Sequence, residues 1–126
     1  MKLLYSAVIL DDESREGLID FVDLVFAVPY GWKRIGHHMT IGFKQPVPEH
    51  LRHDIGKPVQ LIASHLGFSK DAIAVKVSGY HSNNDTPHIT VAIPKDGKPF
   101  NSNLITSWIP MDNVPLTGTV TEVYAQ

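Results

Sequence analysis

Hydrophobic and polar residues alternate along two short runs that share one plan. Side chains point to opposite faces along a strand. In His38-Met39-Thr40-Ile41-Gly42-Phe43, this puts His38, Thr40 and Gly42 on one face and Met39, Ile41 and Phe43 on the other. Fifty residues later the plan returns in His88-Ile89-Thr90-Val91-Ala92-Ile93. There His88, Thr90 and Ala92 share a face, opposite Ile89, Val91 and Ile93. Each run predicts a strand with bulky apolar side chains toward a core and a histidine, a hydroxyl and a small residue toward a ligand.

The pattern predicts elements around these runs. Residues 2–10 have strand composition and end at an acidic cluster. Ser14, or an acid just before it, caps a helix to about Phe26, with Leu18, Phe21, Val22 and Val25 as its apolar stripe. Pro29 and Gly31 break that pattern, and the chain enters the first histidine strand near Ile35. His37 points away from His38 if that strand is regular. Pro46 and Pro48 stop a central ladder, because proline lacks the N–H donor. Residues 49–54 form a helical turn or a loop. Two strands, Val59–Leu66 and Ala72–Ser78, pair as a hairpin around Gly67 to Asp71. Asn101, Ser102 and Asn103 cap a short helix through Trp108, Pro110 and Pro115 close that region, and Leu116–Tyr124 is a last strand. The element order points to an α+β fold in a single domain, 1–126.

Composition narrows the function classes. A chain of 126 residues with 43% hydrophobic and 19% charged residues builds an ordinary globular core. No cysteine is present, which removes disulfide, thiolate and cysteine–zinc chemistry. The net charge of −2 argues against a broad surface for duplex DNA or RNA. Lys33, Arg34 and Lys44 flank the first histidine run, and Lys95 and Lys98 follow the second. The apolar start from Leu3 to Leu10 is short and lacks a small-residue cleavage site, so a first strand is expected rather than a signal peptide. No stretch approaches a membrane span, and a cytoplasmic protein is expected.

Two histidines facing one hollow suit proton transfer near neutral pH. A neutral imidazole takes a proton from a water or ribose hydroxyl, and an imidazolium gives one to the departing oxygen. The hydroxyl two residues on, Thr40 or Thr90, sits roughly 6–7 Å along the strand, within reach of the same phosphate. That chemistry calls for no metal and no cofactor. Other candidates are weaker. Tyr5 and Trp108 stack a base or are core residues. Lys98 reaches a phosphate or is solvated, and Glu122 holds a base edge or ribose or is an exposed acid. His81 lies in a polar loop, and His50, His53 and His65 are scattered without metal-ligand spacing.

The tetrads His38-Met39-Thr40-Ile41 and His88-Ile89-Thr90-Val91 resemble the paired motifs of the 2H phosphoesterases. The likeness is closest to the cyclic phosphodiesterase module of tRNA ligases and the "Swiss army knife" RNA-repair-like proteins. Residues 66–72 and 98–103 also look like that group. The resemblance implies a two-lobed α+β fold, with antiparallel sheets lining a central cleft, helices on the outer faces and one motif per lobe. It implies metal-independent hydrolysis of a 2′,3′-cyclic phosphate at an RNA end or in a nucleotide. His38 and His88 would then be acid and base, and Thr40 and Thr90 phosphate ligands. Degradation of cyclic di- or oligonucleotide signals by the same apparatus, non-catalytic binding of such ligands, and a purely structural or partner-binding domain are the alternatives. The oligomeric state is left open.

Overall fold

In the computed structural model, which describes residues 1–126, strand β1 (Leu3–Leu10) runs directly into a helix, α1 (Asp12–Val25). Asp11 is the cap: its extended backbone lets a carboxylate oxygen accept from the Ser14 N–H at 2.7 Å. Asp12 and Glu13 in the first turn meet the positive end of the helix dipole. Leu18 and Val22 are buried, with Ile19 and Phe26 packed beside them, whereas Val25 is half exposed. The buried stripe is therefore rotated toward Ile19 relative to the expected one.

Six further strands follow: β2 (Lys33–Arg34), β3 (His38–Phe43), β4 (Pro58–Phe68), β5 (Ile73–Ser78), β6 (His88–Ile93) and β7 (Trp108–Tyr124). All pair antiparallel in the order β2-β6-β3-β1-β7-β4-β5, and β6 also pairs with β5. That last pairing closes the sheet on itself. The result is a mostly-β fold, a closed, six-stranded antiparallel barrel with one short helix, and both the α+β class and the two-lobed cleft are overturned. The two histidine strands are neighbours in one wall, paired at Met39 and Ile89, rather than members of opposing lobes. Short-range patterning marks most of the strands, missing β2 and starting β7 at Leu116, but carries no information on which edges meet.

Met39, Ile41, Ile89 and Val91 join Val8, Leu61, Val75, Leu116 and Val120 in the barrel interior, all at most 1% exposed. A smaller apolar cluster of Ala72, Ala74, Ile93 and Ile105, with Ile35 and Trp108 against it, is separate from this core. Trp108 lies over Gly67, where a Cβ would approach its ring to 2.5 Å.

The second expected helix is absent. Residues Pro99–Leu104 form a 3-10 turn, and Trp108 instead opens the long strand β7. Pro110 and Pro115 are accommodated inside that strand. Both pair with β4, in a stretch that precedes the part of β7 paired with β1, so their missing donors fall on an unpaired edge. A second 3-10 turn covers Glu49–Asp54. No helix is long and apolar enough to cross a membrane.

Candidate active site

Three local irregularities in the barrel wall shape the site, and each re-aims a side chain that strict alternation misplaces. The first lies between β2 and β3. Arg34 pairs with Ala92 and Met39 with Ile89, so five steps along one chain span three along the other. The excess is taken up around Gly36, whose φ is +54. Helix α1 holds this excursion: the Arg15 guanidinium donates to the Ile35 carbonyl at 2.7 Å, and Ile19 packs where a Gly36 Cβ would point. His37 is consequently turned back toward its neighbour, with its Nδ1 2.8 Å from the Nδ1 of His38. The expectation that His37 points away fails because the strand is not regular there.

The second irregularity offsets β3 against β1 between Ser6 and Ala7. It leaves Gly42 buried and sends Phe43 out, 71% exposed, away from the interior face on which alternation puts it. The third lies between β5 and β6, where Val91 is the extra residue. It turns Ala92 into the main core and Ile93 toward the smaller cluster, so Ala92 does not lie on the face of His88 and Thr90.

These shifts frame a cavity of about 500 Å³ on the wall made by β1, β3 and β6. His38, His88, Thr40 and Thr90 all line it, together with His37. Tyr5, Ile35, Phe43, Pro99 and Phe100 give it an apolar side, and Asn84 and Asn103 reach in from loops. The register explains the meeting. With Met39 opposite Ile89, His38 falls beside Thr90 and Thr40 beside His88. The two histidines then sit on a diagonal, a separation of roughly 7–8 Å that is somewhat less at Cβ. The cavity that both line has room for a phosphate.

Each imidazole is oriented. The Tyr5 ring stacks on His38 with centroids 4.8 Å apart and planes 19° from parallel. Burial pushes the His38 imidazole down to about 4, and charge on His37 or His88 would push the same way. His38 is therefore neutral at pH 7. Burial also raises the Tyr5 hydroxyl above its usual range, so it keeps its proton. His88 places Nδ1 2.8 Å from the Thr86 carbonyl. A carbonyl only accepts, so Nδ1 carries hydrogen and Nε2 is left for chemistry. The loop before β6 is tied to β3 by the Ser82 hydroxyl on the Thr40 carbonyl at 2.7 Å and the Asn83 N–H on the Ile41 carbonyl at 2.8 Å.

Thr90 is shared with the protein: its hydroxyl lies 2.8 Å from the Ser102 hydroxyl and 3.4 Å from the Pro99 carbonyl. This fixes the 3-10 turn over the cavity. Of the remaining sequence candidates, Trp108 borders an adjoining cavity with its ring 6.3 Å from that of His88. Lys98 is exposed and lines neither cavity. Glu122 is taken up structurally, accepting from Arg52 at 2.9 Å, from the Val47 N–H at 2.9 Å and from the Tyr124 hydroxyl at 3.0 Å. Its carboxylate pKa is lowered, chiefly by the Arg52 hydrogen bond. No three His, Asp or Glu side chains converge in a group that could hold a metal ion.

A scan against protein-family models and a search of the curated proteins find no match. The site is thus read from its own geometry. His37, Phe43, Asn84, Phe100, Ser102 and Asn103 are the site residues that sequence patterning missed. Only the likeness of residues 98–103 to the RNA-repair-like group pointed at three of them.

The depressed His38 pKa has a consequence for stability. The unfolded chain binds a proton near the ordinary value of 6.5, whereas the folded chain resists it until about 4. Between those values the unfolded state holds more protons, so stability falls as pH drops through this window and levels off below it. The loss is at most about 3 kcal/mol. Urea denaturation at several pH values, in the native chain and in His38→Gln, checks this: the native slope between pH 6.5 and 4 is expected to flatten in the variant. Equal slopes would refute it. Glu122 acts in the same direction only below its ordinary carboxylate range, and its contribution is common to both chains.

Proposed function

We propose that this protein is a metal-independent phosphodiesterase that opens a 2′,3′-cyclic phosphate, at an RNA end or in a nucleotide, by paired histidine catalysis. The observation carrying this is that two histidines from strands fifty residues apart line one cavity, one of them held neutral and the other with a single ring nitrogen free. His38 is the base. It lacks a charge at neutral pH, and in the tautomer whose Nδ1–H donates to His37 Nδ1 its Nε2 is left to accept the proton of the attacking water. His88 is the acid, giving a proton from Nε2 to the departing ribose oxygen. Thr40 and Thr90 bind nonbridging oxygens. The apolar side with Tyr5, Phe43 and Phe100 receives the base.

Charge supports a diester over a monoester. Neither lysine nor arginine lines the cavity. One imidazolium balances the single charge of a diester, whereas a monoester dianion would be left half compensated. The short tetrads shared with the 2H phosphoesterases support the same reading.

Nucleoside 2′,3′-cyclic monophosphates incubated with the protein in EDTA are expected to yield nucleoside 2′- or 3′-monophosphate. The kcat/KM profile is expected to be bell-shaped, with its acid limb near pH 4 because the base must be neutral. A strict metal requirement would overturn the mechanism. Tight binding without product would identify a binding module instead.

A further inference from the structure

The fold places a buried hydroxyl behind one of the two threonines that line the histidine cavity. Residues Pro99–Leu104 wind as a 3-10 turn with proline at its start. The Asn101 N–H donates to the Lys98 carbonyl at 3.0 Å, and the Ile105 N–H donates to the Ser102 carbonyl at 3.2 Å. Ile105 then enters the smaller apolar cluster with Ala72, Ala74 and Ile93, which pins the turn to the wall that carries Thr90. Ser102, inside the turn, is left only 1% exposed. Its hydroxyl has one partner, the Thr90 hydroxyl at 2.8 Å.

The direction of that bond follows from where each hydrogen can go. A hydroxyl carries one hydrogen and two lone pairs. Besides Ser102, the Thr90 hydrogen has two places to point: the Pro99 carbonyl at 3.4 Å and the open cavity. The Ser102 hydrogen has only the Thr90 oxygen, and a buried donor without an acceptor is costly. Ser102 therefore donates and Thr90 accepts. The Thr90 hydrogen is then held by the Pro99 carbonyl alone, at 3.4 Å, well beyond the roughly 2.7–2.8 Å of a good O–H···O bond. It is ready for a better acceptor.

We propose that Ser102 is a positioning residue that presets Thr90 as a hydrogen-bond donor to the phosphate. This rests on the phosphodiesterase reading above and adds to it a side chain that does not line the histidine cavity. A nonbridging oxygen only accepts, so a threonine that spends its hydrogen on Ser102 would face the phosphate with lone pairs. With Ser102 donating, the bonds run from Ser102 to Thr90 to phosphate, and each donation polarises the next. The same two bonds hold the Thr90 side chain in one orientation before substrate arrives. Ser102 bonds Thr90 and not Thr40, the counterpart on β3, which supplies an internal control.

Double-mutant cycles with uridine 2′,3′-cyclic monophosphate test this, with circular dichroism as the fold control. Ser102→Ala is expected to lower kcat/KM by about fivefold in the native chain and in Thr40→Val. In Thr90→Val the same change is expected to cost less than about twofold, because the group it acts through is gone. The loss is expected in KM, with kcat changed by less than about twofold, since the phosphate oxygen is bound before and during the reaction. Ser102→Cys keeps the size of the side chain and supplies a weaker donor. It is expected to show the same dependence on Thr90 with a smaller loss, and it decides the matter if alanine disturbs folding. Equal losses in the Thr40→Val and Thr90→Val backgrounds, a loss confined to kcat, or no loss at all overturns this inference and leaves the phosphodiesterase reading standing. No turnover of the cyclic phosphate by the native protein overturns that reading and this inference with it.

Discussion

His88→Ala is expected to lower kcat/KM for a 2′,3′-cyclic phosphate by about 10² to 10⁴-fold while leaving the barrel folded. The size follows from the position of the ring. Its Nδ1 is committed to the Thr86 carbonyl, and the ring, the proposed proton donor, borders both cavities. Alanine leaves the departing oxygen to leave as an alkoxide or to find a proton from water. The fold tolerates the change because His88 is only partly buried and its side chain bonds no other strand. Steady-state kinetics with circular dichroism as a fold control check it. A loss below about tenfold would exclude His88 as the general acid.

Ile89→Ala is expected to have the largest effect on stability, about 3 kcal/mol within the range of buried isoleucine truncations. Ile89 has no exposed surface, and its partner Met39 is equally buried. Together they form the only registered pair between β3 and β6, whereas β4 and β7 are paired along most of their length. The barrel is therefore closed at this point by one rung and the side chains packed behind it. Leu61→Ala, in the heavily paired wall, makes a similar cavity without touching that rung. Urea midpoints are expected to fall for both. Hydrogen exchange separates them: only Ile89→Ala is expected to speed exchange selectively in β3 and β6, with a parallel loss of turnover by the folded fraction. Uniform exchange across the barrel would count against a weak seam.

The strands were largely legible because alternation is a local property of half-buried chain. His38, Thr40, His88 and Thr90 were legible for the same reason, since a bounded strand with one polar face puts them together wherever it pairs. Three things were hidden. Closure depends on β5 meeting β6, a contact of edges that no single strand records. The bulges at Ile41 and Val91 break the period of two, which cost the positions of Phe43, Ala92 and Ile93. The excursion around Gly36 did the same for His37. Pro110 and Pro115 read as strand breakers because one-sided pairing along β7 shows only in the assembled sheet. Glu122 carried no local sign that Arg52, seventy positions earlier, would claim it.

The long strand β7 joins β1 to β4, and it follows every other element in chain order. While a ribosome is still making it, the earlier strands can assemble only as an open sheet running β1-β3-β6-β5-β4. Both outer members of that sheet present bare backbone donors and acceptors, an invitation to intermolecular pairing. The nascent chain thus carries His38 and His88, already side by side, on a template prone to self-association, and safety arrives only when translation has passed Tyr124.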